Sequence, residues 1–268
     1  MNKILKLISS VFIALLATLS ISKAEVKVVA SIKPIHSLVS YVMDGVGKPD
    51  VIVDGYNSPH GFSLKPSHAK MIENADLIIW VGEDLEAFLE KPLDTIAKKA
   101  VNVEIMDLSG VKKLKFREKN IFESHDDHGH GHKEKKHDDH GHDKHAHGEH
   151  DPHVWLDPMN AKVIVKEIEK QLVKLDPDNG SKYKANSKKA QSELDNLTKN
   201  IKRDLKENLR FVVFHDAYQY FENRFGIKVL GALTVNPDVL PGAEQLSEIR
   251  EVIAVSYTHL TLPTNHDV

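Results

Sequence analysis

Residues 26–53 read VKVVASIKPIHSLVSYVMDGVGKPDVIV. Residues 26–31 are a short, valine-rich run, which predicts a strand. Lys33-Pro34 opens a helix over residues 35–42, because proline is tolerated in a first helical turn, where its missing N–H loses no bond. Val51-Ile52-Val53 predicts a second strand. Strand, helix and strand in one short stretch make a βαβ unit, and such a crossover joins parallel strands.

The same rhythm continues. Residues 54–61 (DGYNSPHG) are dense in turn formers. Ser67 is expected to cap a helix running through Glu73. Residues 77–81 predict a buried strand, followed by helices at 85–89 and after Pro92 and a strand at 101–106. The first half of the chain is therefore expected to be α/β with a parallel sheet.

Beyond it lies HDDHGHGHKEKKHDDHGHDKHAHGEH, residues 125–150. It holds no apolar side chain larger than Ala146, so it is expected to form a disordered loop with no core of its own. Neutral imidazoles offer lone pairs to borderline divalent metals. His125, His128, His130, His132, His137, His140, His142, His145, His147 and His150 are thus candidate weak auxiliary metal ligands. A solvated spacer is the plainer reading of the same run. The chain has no cysteine, so any metal must be held by imidazole, carboxylate or water.

Asp157-Pro158 then predicts an N-cap with proline at the first helical position. Ile164, Ile168, Leu172 and Leu175 follow at helical spacing until Asp176-Pro177. A second stripe, Ala190, Leu194, Leu197, Ile201, Leu205 and Leu209, predicts one long helix over residues 181–208. A strand at 211–214, an aromatic helix closed by Gly226, a strand at 227–230 and a helix from Leu246 follow. Residues 256–268 (SYTHLTLPTNHDV) keep neither rhythm.

Three histidines stand at comparable places. His60 lies in a turn after a strand, His153 between two Asp-Pro pairs before a helix, and His215 directly after a strand. In open α/β sheets ligands bind beyond the carboxyl ends of strands, and three imidazoles meeting there suit Zn²⁺. Asp216 is expected to orient a ligand histidine. His36 reads as a satisfied boundary residue, His68 as exposed, and Glu83 and Glu86 as solvated. His259 and His266 belong to the irregular end and carry no reading.

At the N-terminus Lys3 and Lys6 precede an apolar run over residues 7–19, and Ser22-Lys23-Ala24 fits a signal-peptide cleavage site. Export to the periplasm after cleavage behind Ala24, with no stable membrane anchor, is expected. The net charge of −3 and dispersed lysines suggest no nucleic-acid surface.

Several blocks, SIKPIHSLVSYVMDGV, NSPHGFSLKPSHAKMIENADLIIWVGEDLEAFLEKP, the acidic His-rich insert, DPHVWLDPMNA, FVVFHDAYQYFENRFGIKVLG and TVNPDVLPGAEQLSEIR, closely resemble the zinc-binding proteins of bacterial ABC importers. This is the periplasmic high-affinity zinc-uptake family, cluster A-I or cluster 9. The resemblance implies two α/β lobes, each with a mainly parallel sheet flanked by helices, joined by one long rigid helix around a zinc cleft. It places His60, His153 and His215 on the family's three metal-histidine positions. Manganese-type relatives usually carry a carboxylate at the third, so His215 favours zinc. The implied protein is a monomeric, non-enzymatic carrier that passes Zn²⁺ to a membrane permease. The competing readings are a zinc hydrolase, a His-rich metal buffer and, within the family, manganese capture. Two departures stand out. Pro59 occupies a place where some relatives are acidic, and the family continues for several dozen residues beyond Ile253.

The expected organisation is therefore a signal peptide (1–24), an N-terminal lobe (25–157), linking helices (158–209), an incomplete C-terminal lobe (210–255) and a tail outside the family pattern (256–268). An incomplete second lobe is expected to leave Leu230, Leu233 and Ile253 without partners.

Overall fold

The computed structural model describes residues 25–117, 121–122, 149–205, 210–234 and 241–255. The first sheet is built from β1 (Val28–Ile32), β2 (Asp50–Val53), β3 (Leu77–Trp80) and β4 (Val101–Glu104) in the order β2-β1-β3-β4. All its pairings are parallel, with Ala30 opposite Val51 on one side and Ile79 on the other. Every residue of β1 and of β3 is buried. A parallel strand covered on both faces has no polar side to show, which is why these strands read as unbroken apolar runs.

The first helix, α1 (Lys33–Val42), begins two residues earlier than its apolar periodicity suggests and carries Pro34 in its first turn. It buries Ile35, Val39 and Val42, one face at steps of four and three. Helix α2 (Pro66–Glu73) is capped by Lys65 and not by Ser67. Pro66 fixes the start, and the Lys65 N–H donates to His68 Nδ1 at 3.1 Å. His68 is thus half-buried and acts as a cap. Residues 83–95 form one element, α3 (Glu83–Thr95), bent at Glu86 where the backbone leaves helical geometry (φ −127°, ψ 47°). Glu86 is not solvated: it is fully buried. One carboxylate oxygen accepts from the Val81 and Gly82 N–H groups at 2.7 and 3.3 Å, and this closes the turn that leaves β3.

Helix α4 (Pro158–Leu175) is capped as read, with Asp157 Oδ1 accepting from the Met159 N–H at 2.8 Å. It packs against α5 (Gly180–Asp204), a helix of 25 residues, about 37 Å long at ~1.5 Å per residue. Tyr183 and Ala190 are buried where α5 meets its neighbours, while Leu197 farther along the stripe is exposed. Residues 206–209, the last turn of the predicted helix, lie outside the described residues.

The second sheet pairs β5 (Arg210–His215) with β6 (Lys228–Thr234) in parallel across α6 (Gln219–Phe225). Gly226 ends α6 at φ 70°, the left-handed position that glycine takes without a Cβ penalty. Helix α7 (Ala243–Val255) packs on β6. Leu230 does not lack partners: it is fully buried. Ile121 forms an antiparallel bridge with Gly231, and the Phe122 N–H donates to the Leu230 carbonyl at 2.9 Å. A segment from the first half of the chain thus lies along β6, while Leu233 stays half-buried. Among the described residues no helix is long and apolar enough to cross a membrane.

The two halves meet on a polar seam centred on Tyr220, which is 1 % exposed. Its hydroxyl donates to the Asp151 carbonyl at 2.6 Å and accepts from the Leu114 N–H at 2.9 Å. Replacing Tyr220 by Phe strips partners from two backbone groups at once. The expected loss is about 1–3 kcal/mol of unfolding free energy, against no loss for Phe at the fully exposed Tyr56. Urea titration of the two variants checks this.

Candidate metal centre

His60, His153 and His215 come together. One ligand nitrogen from each lies within 4.8 Å of the other two. The rings are 5.6 Å apart for His60 and His153, 5.0 Å for His60 and His215, and 4.9 Å for His153 and His215. Each is delivered by a different element. His60 sits in the turn between β2 and α2, His153 precedes the short 3₁₀ turn Val154–Leu156 ahead of α4, and His215 is the last residue of β5. His60 follows the carboxyl end of β2 and His215 forms that of β5, the usual place for a ligand in such sheets.

His153 is the most tightly held of the three, at 6 % exposure. Asp151 Oδ1 accepts from its backbone N–H at 3.0 Å and from its ring Nδ1 at 2.7 Å. A carboxylate only accepts, so Nδ1 carries the proton and Nε2 presents its lone pair. The His215 Nε2 lies 3.1 Å from His153 Nε2 and must then donate to it in the metal-free protein. A bound cation would take the place of that proton. Tetrahedral Zn²⁺ with bonds of ~2.0–2.1 Å needs its nitrogens about 3.4 Å apart, so this pair is near that separation already. The cluster contains no carboxylate among the described residues, which suits a borderline metal better than a hard one.

The carboxylate that orients one of the three clustered histidines is therefore Asp151 and not Asp216. Asp216 is buried beside the site, and its N–H donates to the Thr234 carbonyl at 3.2 Å. Burial raises its pKa to about 6, with Asp151 and Glu222 adding to the rise and Arg117 opposing it. Asp157, read only as a cap, also receives Arg224 of α6 through two hydrogen bonds of 2.6 Å each. This bidentate pair ties the start of α4 to the second half of the chain.

The other histidines are accounted for separately. His36 Nε2 lies 3.0 Å from the Pro49 carbonyl, a satisfied boundary position. His150 pairs through its backbone with Lys115 in an antiparallel bridge and is no part of the cluster. His125, His128, His130, His132, His137, His140, His142, His145 and His147, with His259 and His266, lie outside the described residues. The residues that sequence reasoning missed are Asp151, Arg117, Tyr220 and Arg224. Asp151 alone left a local signal, a carboxylate two residues before a candidate ligand histidine.

Residues 28–258 match the model of the family described as "Zinc-uptake complex component A periplasmic". The High-affinity zinc uptake system protein ZnuA of Brucella abortus is 46% identical over 263 residues, covering 92% of this chain and 78% of that protein. The fold is similar to the crystal structure of ZnuA, with a TM-score of 0.69 and 21% identity over 87% of this chain and 80% of that one. It is also similar to a Zn(II)-bound variant of AdcAII of Streptococcus pneumoniae, with a TM-score of 0.67 and 23% identity over 87% and 78% of the two chains. The chain belongs to the periplasmic zinc-uptake complex component A family.

Proposed function

We propose that this chain is an extracytoplasmic carrier that captures Zn²⁺ on His60, His153 and His215 and surrenders it to the membrane permease of an ABC importer. The observation that carries the reading is the convergence of three imidazoles from three separate stretches of the chain, with no carboxylate in the cluster among the described residues. In this reading residues 25–157 and 210–255 are the two lobes and 158–209 the link between them. The chain acts as a monomer in the periplasm after loss of residues 1–24. Zinc is cargo and not a catalyst. Three histidines with an open position also describe hydrolases, but Asp151 beside them is buried, and its Oδ1 is engaged by both N–H groups of His153. It is held to orient a ligand and not to activate water.

The His-rich run gives the buffer reading its weight. Ordering a segment of that composition around a metal costs conformational entropy, so its sites should be weaker than a preformed cluster. The test is competition titration with a chelating dye on the full chain and on a variant lacking residues 125–148, which keeps Glu149 and His150 on their partners. One tight zinc equivalent should survive the deletion while several weak ones disappear. Loss of the tight equivalent would make the run the primary site.

A further inference from the structure

Beyond β4 the chain crosses to the second sheet and makes a series of contacts there that no ligand assignment uses. The Leu114 N–H reaches the Tyr220 hydroxyl, and Gln219 Nε2 donates to the Lys115 carbonyl at 3.1 Å. Arg117 stands at the centre. Its Nη1 donates to Asp216 Oδ1 at 3.4 Å and its Nη2 to Glu222 Oε1 at 2.8 Å. Its guanidinium carbon lies 4.0 Å from the centre of the Phe122 ring, and Phe122 is itself bonded to β6. The guanidinium is thus stacked on one side and engaged at its edge by two carboxylates.

Those two carboxylates hold the parts that aim His215. Asp216 is the next residue in the chain, and its backbone is fastened to the end of β6 through Thr234. Glu222 Oε2 accepts from the Val229 N–H at 3.1 Å, tying α6 to the start of β6. Among the described residues the side chains of β5 are only partly covered. Phe211 and Phe214 are 40% and 56% exposed, and Val212 and Val213 are only half-buried. His60 and His153 both precede α4, so His215 is the one member of the cluster whose distance depends on how the second sheet is placed. A site of this kind needs its members held to within about 0.5 Å.

We propose that Arg117 is a positioning residue for metal capture, acting through Asp216 and Glu222 to hold His215 at ligating distance from His60 and His153. The role rests on the three-histidine reading of the site. A planar fork serves it because two carboxylates on different elements must be held at once. Lysine offers one point charge and no plane to stack on Phe122.

The experiment compares Arg117→Ala, Arg117→Lys and His153→Ala in the full chain. Zinc affinity is measured by chelator competition, the Co²⁺ complex by its visible absorption, and the metal-free proteins by urea unfolding. Arg117→Ala should weaken zinc by about tenfold or more, the range for losing a partner that orients a ligand. Its Co²⁺ spectrum should change shape, reporting altered geometry and not merely lower stability. Arg117→Lys keeps the charge, and should keep the fold while still binding more weakly than wild type with a shifted spectrum. Wild-type affinity and spectrum in Arg117→Lys, or in a folded Arg117→Ala, alongside loss of binding in His153→Ala, would overturn the positioning role alone. Wild-type affinity in His153→Ala would remove the site and this role with it.

Discussion

The His153→Ala protein should lose zinc affinity by at least about 100-fold, the upper end of what losing an orienting partner costs, while keeping its fold. The effect should be the largest of the three ligand substitutions because His153 is the best prepared. Its ring is almost wholly buried, its tautomer is set by Asp151, and its Nε2 already faces His215. A ligand held in place loses little freedom when the metal arrives. Removing it takes away a bond whose ordering cost was met during folding. Truncation leaves Asp151 Oδ1 with the backbone N–H at position 153, so the turn keeps one of its two bonds. The Trp155 ring centre lies 5.3 Å from that of His153, which provides a fluorescence reporter beside the site. Affinity in the wild type should also fall in acid, because a protonated imidazole cannot ligate. A His153→Ala protein that titrates like wild type would show that zinc binds elsewhere.

The parts legible in the sequence are those where neighbouring residues determine the outcome. β1 and β3 are recognisable because strands buried on both faces must be apolar throughout. Helix α1 shows its buried face in its spacing, and Asp157-Pro158 announces α4 by local capping chemistry. His60, His153 and His215 could be singled out because each sits in a turn after a predicted strand, directly after one, or just before a predicted helix. The seam between the two halves was not readable in the same way. Leu114 and Tyr220 are 106 positions apart, Arg117 and Glu222 are 105, and Asp157 and Arg224 are 67. Nothing in the spacing of a charged residue tells which distant element its partner occupies. The same limit explains the choice of Asp216 as the orienting carboxylate. It adjoins His215 in sequence, but its carboxylate faces Arg117, whereas Asp151 reaches back to His153 from two residues away. The reading of Glu86 as solvated failed for another reason. A run of Glu83, Asp84 and Glu86 resembles a solvated first turn, and only the bend at Glu86 turns the last of them inward.

That inward turn gives the second large effect: Glu86→Gln should stabilise the metal-free protein at pH 8 and do nothing for it at pH 4. Burial raises the Glu86 carboxyl from 4.5 to about 7, with the Glu104 carboxylate adding to the rise. The Ser31 hydroxyl and the Val81 and Gly82 amides favour the ionised form but do not outweigh the burial. The sign follows from proton counting. Between these two values the folded protein holds a proton on Glu86 that the unfolded chain has released. The unfolded state is therefore favoured increasingly as pH rises through this window. The contribution to stability is full below about 4.5, falls as pH climbs towards 7, and is flat above. Over the whole window the loss is about 3 kcal/mol. Glutamine has no charge to desolvate, and its amide oxygen can accept from Val81 and Gly82 as the carboxylate does. The variant should therefore follow wild type in acid and exceed it by up to that amount at pH 8. Glu104 is also raised to about 7, by burial first and then by Asp107, Glu83 and Asp84. It titrates in both proteins, so its own burial cancels in the difference between them, which reports Glu86 together with the repulsion between the two carboxylates. Glu86→Ala should behave oppositely, destabilising at every pH, because it leaves two buried N–H groups without an acceptor. Urea midpoints of the three proteins at unit steps from pH 4 to pH 8, with a chelator present, decide the matter. Parallel curves for wild type and Glu86→Gln would mean that the buried carboxyl is ionised throughout, held by its two backbone donors against the cost of burial.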